Sequence, residues 1–217
     1  MDFTTARRHM VDSQVRPNDV TDLRIQAALE TVPRESFLPS ELRAQAYVER
    51  ELEYAPGRRL LTVRDFAKLV AAVEPEPDDL VLNAVCGSGY STAILARLTE
   101  MVVALESDER LCAKAQETLD KVGCSNAAVI VGEPRRGAAD QGPYDIVFID
   151  GVIEREPEEL MRQLKDGGRL GAILRRDGVS RGVVYRRSGD AFGCTEVFDA
   201  AARTVLPGFE AEKGFVF

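Results

Sequence analysis

The sequence predicts a doubly wound α/β fold, with a mostly parallel sheet, antiparallel C-terminal strands and an N-terminal helical cap. Three observations carry that expectation. Short apolar runs alternate with helix-length segments from residue 80 onward. A Gly-Ser-Gly turn joins the first of these runs to the segment that follows. The last part of the chain breaks the alternation and reads as a hairpin.

The N-terminal part reads as helical. From Asp22 to Thr31, Leu23, Ile25, Ala27, Ala28 and Leu29 fall in a mostly helical pattern, with Thr21 as N-cap. Val32-Pro33 ends that helix, because the residue before proline is pushed out of the helical region. Ser40 caps a short helix over Glu41 to Ala46, and Tyr54-Ala55-Pro56-Gly57 is a turn signal. Val63 to Val73 forms a helix with Phe66, Leu69, Val70 and Val73 on one face, and a polar break over 75–79 follows it.

Leu80 to Val85 is the first core strand, followed by a helix from Tyr90 to Thr99. Met101 to Leu105 is the second strand, followed by a helix from Ser107 to Val122 with Ser107 as N-cap and Glu109 in the first turn. Ala127 to Val131 and Tyr144 to Ile149 are the third and fourth strands. Pro157 to Leu164 is a helix, and Arg169 to Leu174 a fifth strand. Val183 to Arg187 and Cys194 to Phe198 make the hairpin, and Phe215 to Phe217 adds a terminal edge segment. The chain divides into a cap over 1–59 and a core over 60–217 of one domain.

Composition narrows the chemistry. The 217 residues are 45% apolar and carry 28 Lys and Arg against 36 Asp and Glu, a net charge of -8. That core is too large for a disordered chain, and the acidic balance disfavours nucleic acid as a partner. The single histidine, His9, lies in a basic stretch that reads as a helix surface, so neither a histidine base nor a histidine metal site is expected. Cys86, Cys112, Cys124 and Cys194 show no C-x-x-C spacing and read as free thiols of a cytoplasmic protein. No apolar run is long enough to span a membrane. Nothing in the sequence sets an oligomeric state.

Ligands of open parallel sheets bind beyond the carboxyl ends of the strands. Here the first strand ends in Val85-Cys86-Gly87-Ser88-Gly89-Tyr90, where glycines permit a sharp turn at a helix N-terminus. Glu106 ends the second strand, ~20 residues past the glycine turn, a spacing suited to accepting both hydroxyls of a ribose. Ser107 follows it. Glu133-Pro134 follows the third strand, where a carboxylate can face an adenine amino group. Asp150 ends the fourth, near where a reacting group belongs. Residue 92 is Thr, so the third glycine of a dinucleotide loop is missing. The pattern is that of a nucleoside cofactor across the first two strands.

Met10-Val11, Ala28-Leu29-Glu30, Val32-Pro33-Arg34-Glu35-Ser36-Phe37 and Ala46-Tyr47 resemble the N-terminal cap of the protein-L-isoaspartate O-methyltransferases. Residues 82–98 (LNAVCGSGYSTAILARL) resemble that family's S-adenosylmethionine loop, and Glu106, the Gly132-Glu133-Pro134 turn and residues 157–168 (PEELMRQLKDGG) continue the match in order. The resemblance implies the seven-stranded Rossmann-like sheet of class I methyltransferases. It also implies S-adenosylmethionine as cofactor and a protein or peptide substrate methylated on L-isoaspartyl carboxylates. Three positions depart from the family pattern. Asn83 stands for an acidic residue, Val85 for a glycine, and Leu61-Thr62-Val63 for a Ser-Gln-Pro segment whose serine lies near the reacting carboxylate. By the same resemblance Thr62 is the candidate catalytic hydroxyl. A different methyl acceptor and a non-catalytic relative with impaired cofactor binding are the alternatives.

Overall fold

The computed structural model describes residues 2–211. A seven-stranded sheet runs through it in the order β5-β4-β3-β6-β7-β8-β9. Its strands are β3 (Leu80–Asn83), β4 (Met101–Glu106), β5 (Ala127–Val131), β6 (Tyr144–Ile153), β7 (Leu164–Arg176), β8 (Val179–Ser188) and β9 (Ala191–Asp199). The pairs from β5 to β7 are parallel, and β8 and β9 are antiparallel. Strand order reverses at β3, which pairs with β4 on one side and β6 on the other. Their carboxyl ends therefore open a crevice at the centre of the sheet.

Alternation along the strands builds two cores. Val81, Val102, Ile146 and Phe148 point to one face, where they join Phe66 and Leu69 of α3 (Val63–Ala72) and Ile94 of α4 (Tyr90–Ala96). Leu82, Val103, Val147 and Ile149 point to the other, with Leu160 of the single-turn helix α6 (Glu158–Met161), Leu206 and Phe209. The cap helices α1 (Phe3–Met10) and α2 (Leu23–Thr31) place Met10, Ile25 and Leu29 in the first of these cores. Cap and sheet thus bury apolar surface against each other, not across a linker. His9 is exposed near the end of α1, as its basic neighbours predict.

Several local expectations are corrected. Asp22, not Thr21, caps α2, its carboxylate accepting from Arg24 N–H. Asp108, not Ser107, caps α5 (Glu109–Lys121), because its carboxylate reaches Arg110 and Leu111 N–H while Ser107 turns toward Glu106. The segment after Ser40 forms only a 3-10 turn at Arg43–Gln45. The helix expected to Leu164 stops at Met161, because Leu164 already pairs with Tyr144 as the start of β7. The Tyr54 to Gly57 turn belongs to a hairpin of β1 (Leu52–Ala55) and β2 (Arg58–Leu60). The expected edge segment Phe215 to Phe217 lies outside the described residues.

Candidate active site

The loop after β3 is built as the glycines require. Gly87 and Gly89 sit at φ 52° and 89°, a region open to glycine and strained for residues with a Cβ. Gly89 N–H donates to the Cys86 carbonyl, and Cys86 N–H to the Leu105 carbonyl, so the loop is tied to the end of β4. Asn83 is fully buried and donates to the Ser91 and Thr92 hydroxyls at 2.8 and 2.9 Å. An amide serves here because hydroxyls accept as readily as they donate. Val85 is buried in the same apolar cluster as Leu82, Leu105 and Ile149, so its side chain packs into the core. Cys86 is also buried, and that burial pushes its thiol well above the ordinary range.

Glu106 ends β4 with no exposed surface. Its carboxylate accepts from Ser107 N–H, Asp108 N–H and the Ser107 hydroxyl. Arg58, on the hairpin, completes the set with Nε to Oε2 at 2.9 Å and Nη2 to Oε1 at 2.7 Å. Burial pushes the Glu106 carboxyl up, but the Arg58 hydrogen bonds and charge and the two backbone N–H groups outweigh it and hold the carboxyl below its ordinary value. The carboxylate predicted to grip a ribose is therefore ionised and already gripped by a guanidinium of the same chain.

Tyr54 does the same to the glycine loop. Its hydroxyl accepts from Ser88 N–H at 3.0 Å. A Cβ built on Gly87 would meet that hydroxyl at 1.9 Å, so the ring tip fills the space the glycine leaves open. Both intruders come from the β1–β2 hairpin. A period-two pattern marks it in the sequence: Leu52, Tyr54, Arg58 and Leu60 face inward around Pro56-Gly57, with Glu53 and Arg59 turned outward. The turn was legible, but the strands beside it were missed because they are only four and three residues long.

Asp150 does not end the strand as expected: β6 runs on to Ile153, and Asp150 sits at the register shift between Phe148 and Val152, just past the end of the β3 pairing. It is buried at 8% exposure, and its Oδ1 has no hydrogen-bond partner among the described residues. Burial raises its carboxyl to about 6, against smaller opposing effects from the Ser91 hydroxyl and the Arg34 guanidinium. The enclosed space beside it, bounded by Leu61, Gly57 and Gly151, is about 10 Å³, room for about one water. Thr62 caps α3, its hydroxyl accepting from Asp65 N–H at 3.1 Å, and is buried. Pro134 is buried beyond β5, while Glu133 is exposed. No group of His, Cys, Asp and Glu among the described residues is arranged to hold a metal ion.

The family model for protein-L-isoaspartate(D-aspartate) O-methyltransferase matches residues 5–194. A protein-L-isoaspartate O-methyltransferase of Koribacter versatilis is 32% identical over 168 residues, 77% of this chain and 76% of that protein. The one from Methanoregula boonei is 33% identical over 186 residues, 86% of each chain. The chain belongs to the protein-L-isoaspartate O-methyltransferase family. Solved structures agree on the fold. A protein-L-isoaspartate O-methyltransferase superimposes with a TM-score of 0.80 at 21% identity over 94% of this chain and 67% of that chain. A Plasmodium falciparum protein solved with S-adenosyl-L-homocysteine gives 0.77 at 15% identity over 92% of this chain and 97% of that chain.

The segments that resemble this methyltransferase family have structural work. Arg34 of Val-Pro-Arg is buried, donating from Nε to the Ala46 carbonyl at 2.9 Å and from Nη2 to the Leu61 carbonyl at 2.6 Å, over the Tyr90 ring. Phe37 packs edge-on against the same ring. The motif joins the cap, the segment before α3 and the first residue of α4. Gln163 bridges Ala138 N–H and the Arg136 carbonyl, fixing the loop beyond Pro134.

Polar groups at the strand ends suit the family's cofactor, S-adenosylmethionine, but Arg58 takes both oxygens of Glu106 and Tyr54 takes the Ser88 N–H, so these groups are already engaged within the chain.

Proposed function

We propose that this chain is an S-adenosylmethionine-dependent carboxyl O-methyltransferase acting on L-isoaspartyl residues of damaged proteins. Family membership supports the reaction. The observation that carries the cofactor assignment is Glu106, buried, ionised and placed at the end of β4 beside the Cys86-to-Gly89 loop. When bound, S-adenosylmethionine supplies an electrophilic methyl group on a sulfonium.

The acceptor chemistry suits the residues present. A carboxylate with a pKa of about 4 is ionised at neutral pH and needs no general base. That agrees with the position of His9 on the exposed face of α1. The protein's task is to hold the reactants in line and exclude water. Thr62 is the proposed contact to the substrate carboxylate, since a capping hydroxyl that accepts from Asp65 N–H keeps its own proton to donate. Arg34 positions it through the Leu61 carbonyl. Val85, Cys86, Gly87, Ser88, Gly89, Tyr90, Glu106, Ser107, Glu133, Pro134 and Asp150 remain the proposed cofactor set. The cap over 1–59 and the core over 60–217 act as one unit, in the cytoplasm, on a protein or peptide.

A second reading is a different methyl acceptor on the same site, favoured by Leu61-Thr62-Val63 in place of Ser-Gln-Pro. Methyl transfer to an isoaspartyl peptide and to its aspartyl counterpart separates the two. Transfer to the isoaspartyl form alone supports the first. Transfer to neither, with cofactor bound, removes it.

A further inference from the structure

We propose that the tip of the β1–β2 hairpin is an intramolecular plug: Arg58 and Tyr54 occupy the cofactor cleft, and the cofactor binds only to molecules in which the tip has swung out. The proposal rests on the methyltransferase reading above and adds regulation of its site.

The plug takes the contacts that a nucleoside ligand needs. Arg58 uses both oxygens of the Glu106 carboxylate, and Tyr54 uses the Ser88 N–H between the two loop glycines, just ahead of α4. Both contacts must break before the site is free. They are mutually exclusive with a ligand on the same atoms, so the tip and the ligand compete.

Its satisfaction of the cleft is incomplete. Asp150 Oδ1 and Ser88 Oγ are buried and lack partners among the described residues. An unpartnered buried polar atom costs roughly what a lost hydrogen bond does. Tyr54 and Arg58 therefore leave polar groups of the strand-end loops unmet.

The tip is also built to move. A two-stranded ribbon is marginal in water without further packing. Here Leu52 and Leu60 anchor the ribbon's two ends in the core, while Pro56 at its turn is exposed. Between these anchors the register is interrupted at Glu53/Ala55. An open groove of about 350 Å³, lined by Pro56, Arg58, Ser107, Asp108 and Leu111, lies against the outer side of the ion pair. A ligand entering there meets Arg58 first.

A site that is open only part of the time binds with its intrinsic dissociation constant divided by the open fraction, so its apparent affinity is lowered by that fraction. Calorimetric titration with S-adenosyl-L-homocysteine tests this on the full chain. The Tyr54→Ala/Arg58→Ala variant should bind at least about tenfold tighter than the unmodified protein. The milder Tyr54→Phe variant, which removes one oxygen and keeps the ring, should bind about two- to fivefold tighter and guards against misfolding of the double variant. In the unmodified protein, saturating ligand should speed amide exchange at residues 52–60 while slowing it at 85–90. Equal or weaker binding by both variants, no binding by any form, or slower exchange at 52–60 on binding would each overturn the plug. Tighter binding by the variants with no methyl transfer to an isoaspartyl peptide would leave the plug standing and remove the proposed acceptor.

Discussion

Arg58 and Glu106, 48 positions apart, meet in a two-pronged ion pair at 2.9 and 2.7 Å, with Glu106 wholly buried. The pair joins a hairpin that precedes the core to the strand end that defines the cofactor cleft. Its energetics are testable apart from any ligand. Removing one partner of a buried pair costs more than the pair contributes, because the other charge is stranded. Arg58→Ala should destabilise by about 2 kcal/mol, held down by the backbone N–H groups still facing Glu106. The Arg58→Ala/Glu106→Gln double variant should recover about half of that. Urea unfolding followed by circular dichroism measures it, since the chain has no tryptophan. Additive losses would show that the two residues are not coupled.

The same pair sets an acid limit. Glu106 is held below its ordinary carboxyl value in the folded state, so its contribution is present above the unfolded value of 4.5 and is lost as pH falls through the lowered one. Exchange at the hairpin amides should therefore rise below about pH 4 before the sheet amides follow. Simultaneous loss of both would place the hairpin in the global unfolding unit.

Asp150 has the opposite sign. Its carboxyl is raised from 3.8 to about 6 by burial, so the folded state binds the extra proton between those values. Stability then falls as pH rises through that window and stays low above it. Asp150→Asn should stabilise the protein at pH 7 to 8, by at most about 3 kcal/mol, and change little below about pH 4. Unfolding curves at pH 4 and 8 decide it. A loss of stability at pH 8 would mean that the ionised carboxylate is satisfied by contacts of its own.

Arg34 tests the cap. Arg34→Met keeps much of the packing volume over Tyr90 but leaves the Ala46 and Leu61 carbonyls without their donor. A cost of about 2–4 kcal/mol is expected. Methyl transfer at 20 °C should fall through kcat, because the Leu61-Thr62 segment loses its tether. Unchanged kcat in a folded variant would separate the cap from the acceptor side of the site.

Much of this was legible in residues 80–199. The five parallel strands, their order of appearance and the antiparallel ending follow from apolar runs that must be covered on both faces. The glycine loop and Glu106 were equally plain, because strand-end chemistry is fixed by spacing along the chain. What escaped was long-range. Nothing near Glu106 in sequence announces Arg58, and Val85 reads as an obstruction until its burial beside Leu105 is seen. Val85→Gly should thus lower stability by about 1–3 kcal/mol without tightening ligand binding, as thermal unfolding and titration would show.

The most direct measurement is a crystal structure with S-adenosyl-L-homocysteine bound. Arg58 should have left Glu106, opening the 2.7 Å contact beyond 4 Å, with the ligand's ribose hydroxyls on the freed carboxylate and Tyr54 displaced from Ser88. An intact Arg58–Glu106 pair beside a bound ligand would contradict the account, since the hairpin and the nucleoside would then occupy different places.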